Sequence, residues 1–332
     1  MTLLDVDGRS HELPGDTAGV DAAALAEATG WALKPEGLCR GEVCVPLLGR
    51  PVEREDGWID LAEWAAALGL ALAFDADHVV AALAPGAHDT ATPGAAAPDL
   101  ELPDVDGAPH AFGELAGRKR VLVTWASWCG CRHELAAWQA IQDELGDEGL
   151  SIFSVALDAS ADDARPWIEA AAPEYPVVVD TAHVTAERYG ITNVPSVVWV
   201  DEEGAVVKPP TIAPGDDQFA DFTQIESATH HDALRRWVRD GTVPDGPATP
   251  VRSPEEQQAL AERRVGAWLH GERHTDAAAA HLARAVELAP WDWTIRRGAI
   301  AMRGDDPFLG DEFLAFWEEW DAAGRPGYTP TA

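Results

Sequence analysis

Between residues 119 and 207, short apolar runs alternate with segments of helical spacing. Val121 to Trp125 is a compact run suited to a buried strand, and from Cys131 to Leu145 the positions Leu135, Trp138, Ile141 and Leu145 recur on one helical face. Ile152 to Leu157 reads as a second strand, Ala161 to Ala172 as a helix and Val177 to Asp180 as a third strand. Thr185 to Tyr189 reads as a short helix. Ser196 to Val200, directly after Val194-Pro195, and Ala205 to Val207 form a hairpin around Asp201-Glu202-Glu203-Gly204. This order predicts an α/β domain with a central mixed sheet covered on both faces by helices.

Two Pro/Gly/Ala-rich seams, 84–98 and 242–250, set this domain apart from its flanks. The expected organisation is a small α+β domain over 1–85, a linker over 86–97, the α/β domain over 98–240 with an insertion at 208–235, and a helical region over 251–332. The first block opens with a hairpin at Asp7-Gly8, where glycine supplies the positive φ of the turn. Helical patterns follow at Val20 to Thr29 and Ile59 to Gly69, around Cys39 and Cys44. Asp5-Val6-Asp7-Gly8 echoes Asp104-Val105-Asp106-Gly107, a single shared turn that makes weak evidence for a repeat. In the last block, Glu255 to His270 and Asp276 to Leu288 form an αα-hairpin. Its Gly266, Ala278, Ala285 and Pro290 resemble the small residues and terminal proline of one tetratricopeptide repeat. The aromatic residues from Trp291 to Trp320 read as packing.

Charge narrows the function. With 57 Asp and Glu against 24 Lys and Arg, the net charge is −33, which argues against docking on nucleic acid or an anionic membrane. The first residues are polar and acidic and no stretch approaches a membrane span, so the cytoplasm is the expected compartment. The four cysteines fall in two close pairs, Cys39/Cys44 and Cys129/Cys131. In a reducing compartment such pairs favour redox or metal chemistry over structural cross-links.

The strongest chemical signal is Trp125-Ala126-Ser127-Trp128-Cys129-Gly130-Cys131-Arg132-His133-Glu134-Leu135. A strand ends, a tryptophan follows, and two cysteines open a helix. Unpaired helix amides stabilise thiolate there, as can Arg132 and His133, and the neighbouring cysteine can then resolve a mixed disulfide.

This run, Val194-Pro195-Ser196, the entry Ala97-Pro98-Asp99-Leu100 and the Asp180 that ends a strand together resemble the thioredoxin-like reductases of the TlpA/ResA type, over about a third of the chain. The resemblance implies a thiol–disulfide oxidoreductase with Cys129 attacking and Cys131 resolving, and with Glu134 moving protons at the thiols. It also implies a cis Pro195 facing the dithiol, with Trp128 and Val194 contacting an extended substrate. This sequence departs from the family in having one residue between the cysteines in place of two. The closed ring shrinks from about 14 atoms to about 11, away from relaxed disulfide geometry, and the expectation is a stronger oxidant. The shortening also leaves the order of the two cysteines open. A peroxidatic site is less well matched: Thr124 lies five positions before Cys129 and no proline precedes it.

Cys39 and Cys44 admit three readings: a second redox pair in relay with Cys129/Cys131, a share in one zinc or copper(I) site using all four sulfurs, or two buried apolar side chains. His230-His231 and His270/His274 are ligand candidates on spacing alone, and the latter two also fit a surface loop. The chemistry calls for no cofactor. Its partners are a protein or small-molecule disulfide, a thiol electron donor and, through the C-terminal helices, a protein partner. The alternative function is a scaffold whose helical region binds a partner while the dithiol stays idle.

Overall fold

The computed structural model describes residues 1–87, 89–245 and 251–327, so part of the second seam, 246–250, lies outside the described residues. The chain forms two compact units, Met1–Asp89 with Val251–Pro290, and Thr90–Pro250 with Trp291–Ala332.

In the first unit β1 (Thr2–Leu4) and β2 (Ser10–Glu12) form the hairpin that Asp7-Gly8 predicts. A small ribbon, β3 (Gly15–Asp16) with β4 (Gly19–Val20), leads into α1 (Ala22–Thr29), capped by the Asp21 carboxylate. Strands β5 (Ala32–Lys34), β6 (Gly37–Arg40) and β7 (Val43–Val45) make a three-stranded meander, followed by α2 (Leu61–Ala67), β8 (Ala71–Asp75) and β9 (Val80–Ala84). The main sheet has the order β2-β1-β9-β8, with β1 parallel to β9. Leu3, Val20, Leu25, Leu38, Leu61 and Trp64 belong to its buried core.

The second unit begins with β10 (Glu101–Pro103), β11 (Pro109–Ala111) and a 3₁₀ turn (Phe112–Leu115). Then come β12 (Lys119–Trp125), a 3₁₀ turn (Gly130–His133), α3 (Leu135–Leu145), β13 (Leu150–Ala156) and α4 (Ala161–Ala171). These are followed by β14 (Val177–Val179), α5 (Val184–Tyr189), β15 (Ser196–Val200) and β16 (Val206–Ile212). The sheet order is β14-β13-β12-β15-β16, with β12 parallel to β13 and antiparallel to β15. Every position of β13 and β15 is buried, as a sheet covered on both faces requires. The expected mixed α/β, thioredoxin-like architecture is present.

The boundaries differ from the sequence reading in instructive ways. Residues 208–235, expected as an insertion, hold the rest of β16, a short α6 (Ala220–Thr223) and the start of α7 (Ser227–Asp240). Pro209 and Pro210 look like a strand end, but β16 lies at the edge of the sheet, where proline is tolerated. The end of the expected linker, residues 94–97, runs along that edge: Gly94 N donates to Val206 O at 2.8 Å and Val206 N to Ala95 O at 2.9 Å. Its small side chains let the backbone lie close enough to satisfy the edge.

The helical region expected over 251–332 divides between the two units. Helices α8 (Pro254–Gly271) and α9 (Thr275–Leu288) belong to the first, where α8 packs on β8 and β9. Gly266 permits their close approach, since a Cβ there would fall 2.8 Å from Leu282. Arg264 donates to the Asp5 and Val6 carbonyls, and His281 bridges Glu262 (2.6 Å) and Asp75 (3.3 Å). His274, in the α8–α9 turn, is exposed and lies with its ring 4.0 Å from that of His78. Helices α10 (Trp293–Met302) and α11 (Asp311–Ala322) belong to the second unit. Among the described residues no helix is long and apolar enough to cross a membrane.

Glu262, opposed by burial and aided by Asp75, raises the His281 pKa above its ordinary 6.5. The charged form therefore supports the fold below about pH 6.5, and that support is lost as pH rises through the raised value. His281→Ala is expected to lower the melting temperature at pH 6 by more than at pH 9. Equal losses at both would contradict the bridge.

Candidate functional site

The dithiol loop is held from three sides. Strand β12 ends at Trp125, and Ser127 is fastened to Asp158 beyond β13, its Oγ donating at 2.6 Å and its N–H to both carboxylate oxygens at 3.0 Å. Trp128 Nε1 donates to Leu157 O at 3.2 Å. Arg132 Nη1 donates to Ser127 O at 2.7 Å, with its guanidinium against the Trp167 and Phe308 rings. The helix expected from Cys131 instead begins as a 3₁₀ turn with Cys129 at its cap, and the α-helix starts at Leu135. Cys131 N donates to Cys129 Sγ at 3.3 Å, and Glu134 N to Cys131 O at 3.0 Å.

Cys129 and Cys131 are paired with each other, and both are nearly buried, at 6% and 3% exposure. Between them Gly130 lies against the Phe219 ring, which would have to shift for a larger residue, since a Cβ there would fall 2.6 Å from it. The Val194–Pro195 peptide is cis, and Val194 O lies 3.5 Å from Cys129 Sγ.

Glu134 is 3% exposed, and among the described residues its carboxyl accepts one hydrogen bond, from Gly215 N at 2.7 Å. Burial pushes its pKa up to about 8, against the lowering by the Gly215 N–H, so it carries a proton at neutral pH. Burial likewise lifts Asp158 to about 7 despite the Ser127 donors. Cys129, Cys131, Glu134, Val194 and Pro195 line one pocket. Trp128 stands beside it with its carbonyl bonded by Arg297 Nη2 at 2.6 Å. The sequence reading did not assign Phe219 or the wall formed by Trp293, Arg297, Phe308, Phe313 and Trp317 to the site.

The remaining candidates lie elsewhere. Cys39 and Cys44 face each other across β6 and β7 and are paired; Cys39 is buried and Cys44 exposed. His230 is buried in α7 between Trp138 and Trp199, and neither of its ring nitrogens has a hydrogen-bond partner among the described residues. Burial, with Lys208 and His231 adding to it, holds it neutral. Among the described residues no group of three or more His, Cys, Asp or Glu is arranged to hold a metal ion, so the shared zinc or copper(I) reading finds no cluster to rest on.

Comparison with known proteins fits this geometry. The AhpC/TSA family matches residues 93–208. The thioredoxin-like protein YneN of Bacillus subtilis is 30% identical over 118 residues, covering 34% of this chain and 68% of the relative. The chain belongs to the thioredoxin-like family. The thiol-disulfide oxidoreductase ResA of Geobacillus thermodenitrificans is 25% identical over 116 residues, 35% of this chain and 67% of that protein. A thiol:disulfide interchange protein of the thioredoxin family from Chlorobium tepidum is 20% identical, covering 44% of this chain and 97% of its own, with a TM-score of 0.36. By family this thioredoxin-like protein is a thiol–disulfide oxidoreductase.

Glu134 imposes a pH dependence of definite sign. Between its ordinary 4.5 and about 8 the folded state holds a proton that the unfolded chain has lost, so stability falls as pH rises across that window. Glu134→Gln mimics the protonated form. It is expected to match the wild type near pH 5 and to exceed it near pH 8.5, removing a slope of at most about 1.4 kcal/mol per pH unit. Asp158 leaves a residual slope of the same sign up to about pH 7. Parallel urea-denaturation curves for the two proteins at both pH values would show that Glu134 is not held neutral.

Proposed function

We propose that the Cys129-Gly130-Cys131 dithiol catalyses disulfide exchange on protein or small-molecule disulfides, with Cys129 as nucleophile and Cys131 as resolving thiol. The observation that carries this reading is the gathering of both sulfurs, Glu134, Val194 and Pro195 around one pocket. In the reductive direction the Cys129 thiolate attacks one substrate sulfur. The Cys129–substrate disulfide forms, the substrate S–S bond breaks, and the first product leaves as thiolate. Cys131, deprotonated, then attacks Cys129 sulfur, forms the Cys129–Cys131 disulfide and releases the second thiolate. An external thiol donor restores the reduced pair. Glu134, protonated at neutral pH in the same pocket, supplies a proton to a departing thiolate and can take one from Cys131.

Val194 O, 3.5 Å from Cys129 Sγ, supports a role for that backbone in seating the substrate. The exposed Cys44, cross-strand from Cys39, supports a second redox pair that external thiols can reach. The idle-scaffold alternative draws less support, because α10 and α11, its candidate partner-binding elements, contribute walls to the dithiol pocket.

With dithiothreitol as donor, Cys129→Ser is expected to lower disulfide turnover at least ~100-fold. Cys131→Ser is expected to accumulate a mixed disulfide on Cys129, visible by mass spectrometry. Undiminished turnover in Cys129→Ser would overturn the assignment. If the second pair relays, Cys39→Ser/Cys44→Ser slows turnover without altering the single attack at Cys129.

A further inference from the structure

The dithiol lies beneath a cover made by its own chain. At the start of α10, Trp293 N donates to Thr192 O at 2.7 Å, directly before the Asn193-Val194-Pro195 segment. One turn further on, Arg297 Nη2 donates to Trp128 O, the residue before Cys129, while its Nε donates to Pro307 O at 2.9 Å. Its guanidinium lies 5.0 Å from the Trp128 ring and 4.5 Å from the Phe313 ring. Two backbone acceptors flanking the dithiol, Thr192 O and Trp128 O, are thus bonded from within. An extended polypeptide docks through such main-chain groups and needs them free.

The space that remains is small and apolar. Trp293, Phe308, Phe313 and Trp317 wall the pocket together with Val194 and Pro195, and Phe219 lies against Gly130. A disulfide carried between two flanking lengths of protein backbone has to reach the sulfurs past these side chains.

We propose that α10, α11 and Phe219 form a standing cover that selects low-molecular-weight disulfides with apolar flanks and excludes protein disulfides. This rests on the exchange reading above and narrows its substrate class. Arg297 acts as the latch. It is buried, it ties the cover to the dithiol loop, and no carboxylate lies within ion-pair distance of it among the described residues.

The test uses the full chain with Cys39→Ser/Cys44→Ser, so that only the active-site pair reports. The protein is reduced, freed of reductant and mixed with bis(2-hydroxyethyl) disulfide or insulin, and its oxidation is followed by tryptophan fluorescence. Each rate constant is divided by that of dithiothreitol with the same disulfide. The expected result is a normalised rate at least ~100-fold lower for insulin than for the small disulfide. Arg297→Ala, or Phe219→Ala if the first variant does not fold, is expected to narrow that gap at least tenfold by raising the insulin rate. Normalised rates within about threefold of each other in the unsubstituted cover would overturn the cover while leaving disulfide exchange standing. A gap unchanged in a folded Arg297→Ala or Phe219→Ala protein would overturn it as well. Reaction with neither disulfide would instead overturn the exchange reading itself, and the cover with it.

Discussion

The antiparallel register of β12 on β15 closes at Thr124 opposite Ser196, and the active site hangs from that pair. Thr124 Oγ1 donates to Ser196 O at 3.1 Å, inside the sheet and fully buried. One strand leaves this point toward Cys129 while the other arrives through Val194 and Pro195, so the sulfur and the Val194 carbonyl meet without any long loop having to find its place. A one-residue slip would turn alternate side chains to the opposite face and dissolve the arrangement. A slip would also part Thr124 from Ser196 and break the buried bond between them. Ser127 on Asp158 and Trp128 on Leu157 then tie the loop to the neighbouring β13 side.

Two carboxyls next to the dithiol are held toward the neutral form, and their hydrogen bonds separate their roles. Both oxygens of Asp158 are occupied by Ser127, which makes it a fastener of the loop. Glu134 has a single partner among the described residues, the Gly215 amide, and lines the pocket with the sulfurs. Burial outweighs hydrogen bonding in both cases. Only Glu134 has both the location and the spare valence to exchange a proton with sulfur.

The dithiol, its strand, its helix and the Val194-Pro195 segment were legible in the sequence because each carries a dense local signal over a few residues. What escaped were features decided by distant partners. Pro209 and Pro210 look like a strand end until β16 is known to be an edge. The seam before residue 98 looks like a linker until its backbone is seen bonded to Val206. His230 and His231 look like ligands until His230 is found enclosed by Trp138 and Trp199. The aromatics after Trp291 do pack, as their spacing implies, with Trp293 against Phe313, Phe316 and Trp320. Amphipathic spacing marks a face as apolar without saying what that face meets, and four of the aromatics, Trp293, Phe308, Phe313 and Trp317, also wall the pocket.

Arg297 gives that wall an electrostatic consequence. A buried guanidinium is costly unless its donors are met, and here two carbonyls and two aromatic faces meet them. Burial lowers its pKa to about 9, which leaves it cationic at neutral pH. A carboxylate latch would have cancelled that charge; carbonyl partners do not. Glu134, neutral over the same range, adds no negative charge to oppose it. The pocket that receives the sulfurs is therefore lined by one cation and one protonated acid. The residue proposed as the latch of the cover thus also sets a positive charge in the lining of the pocket.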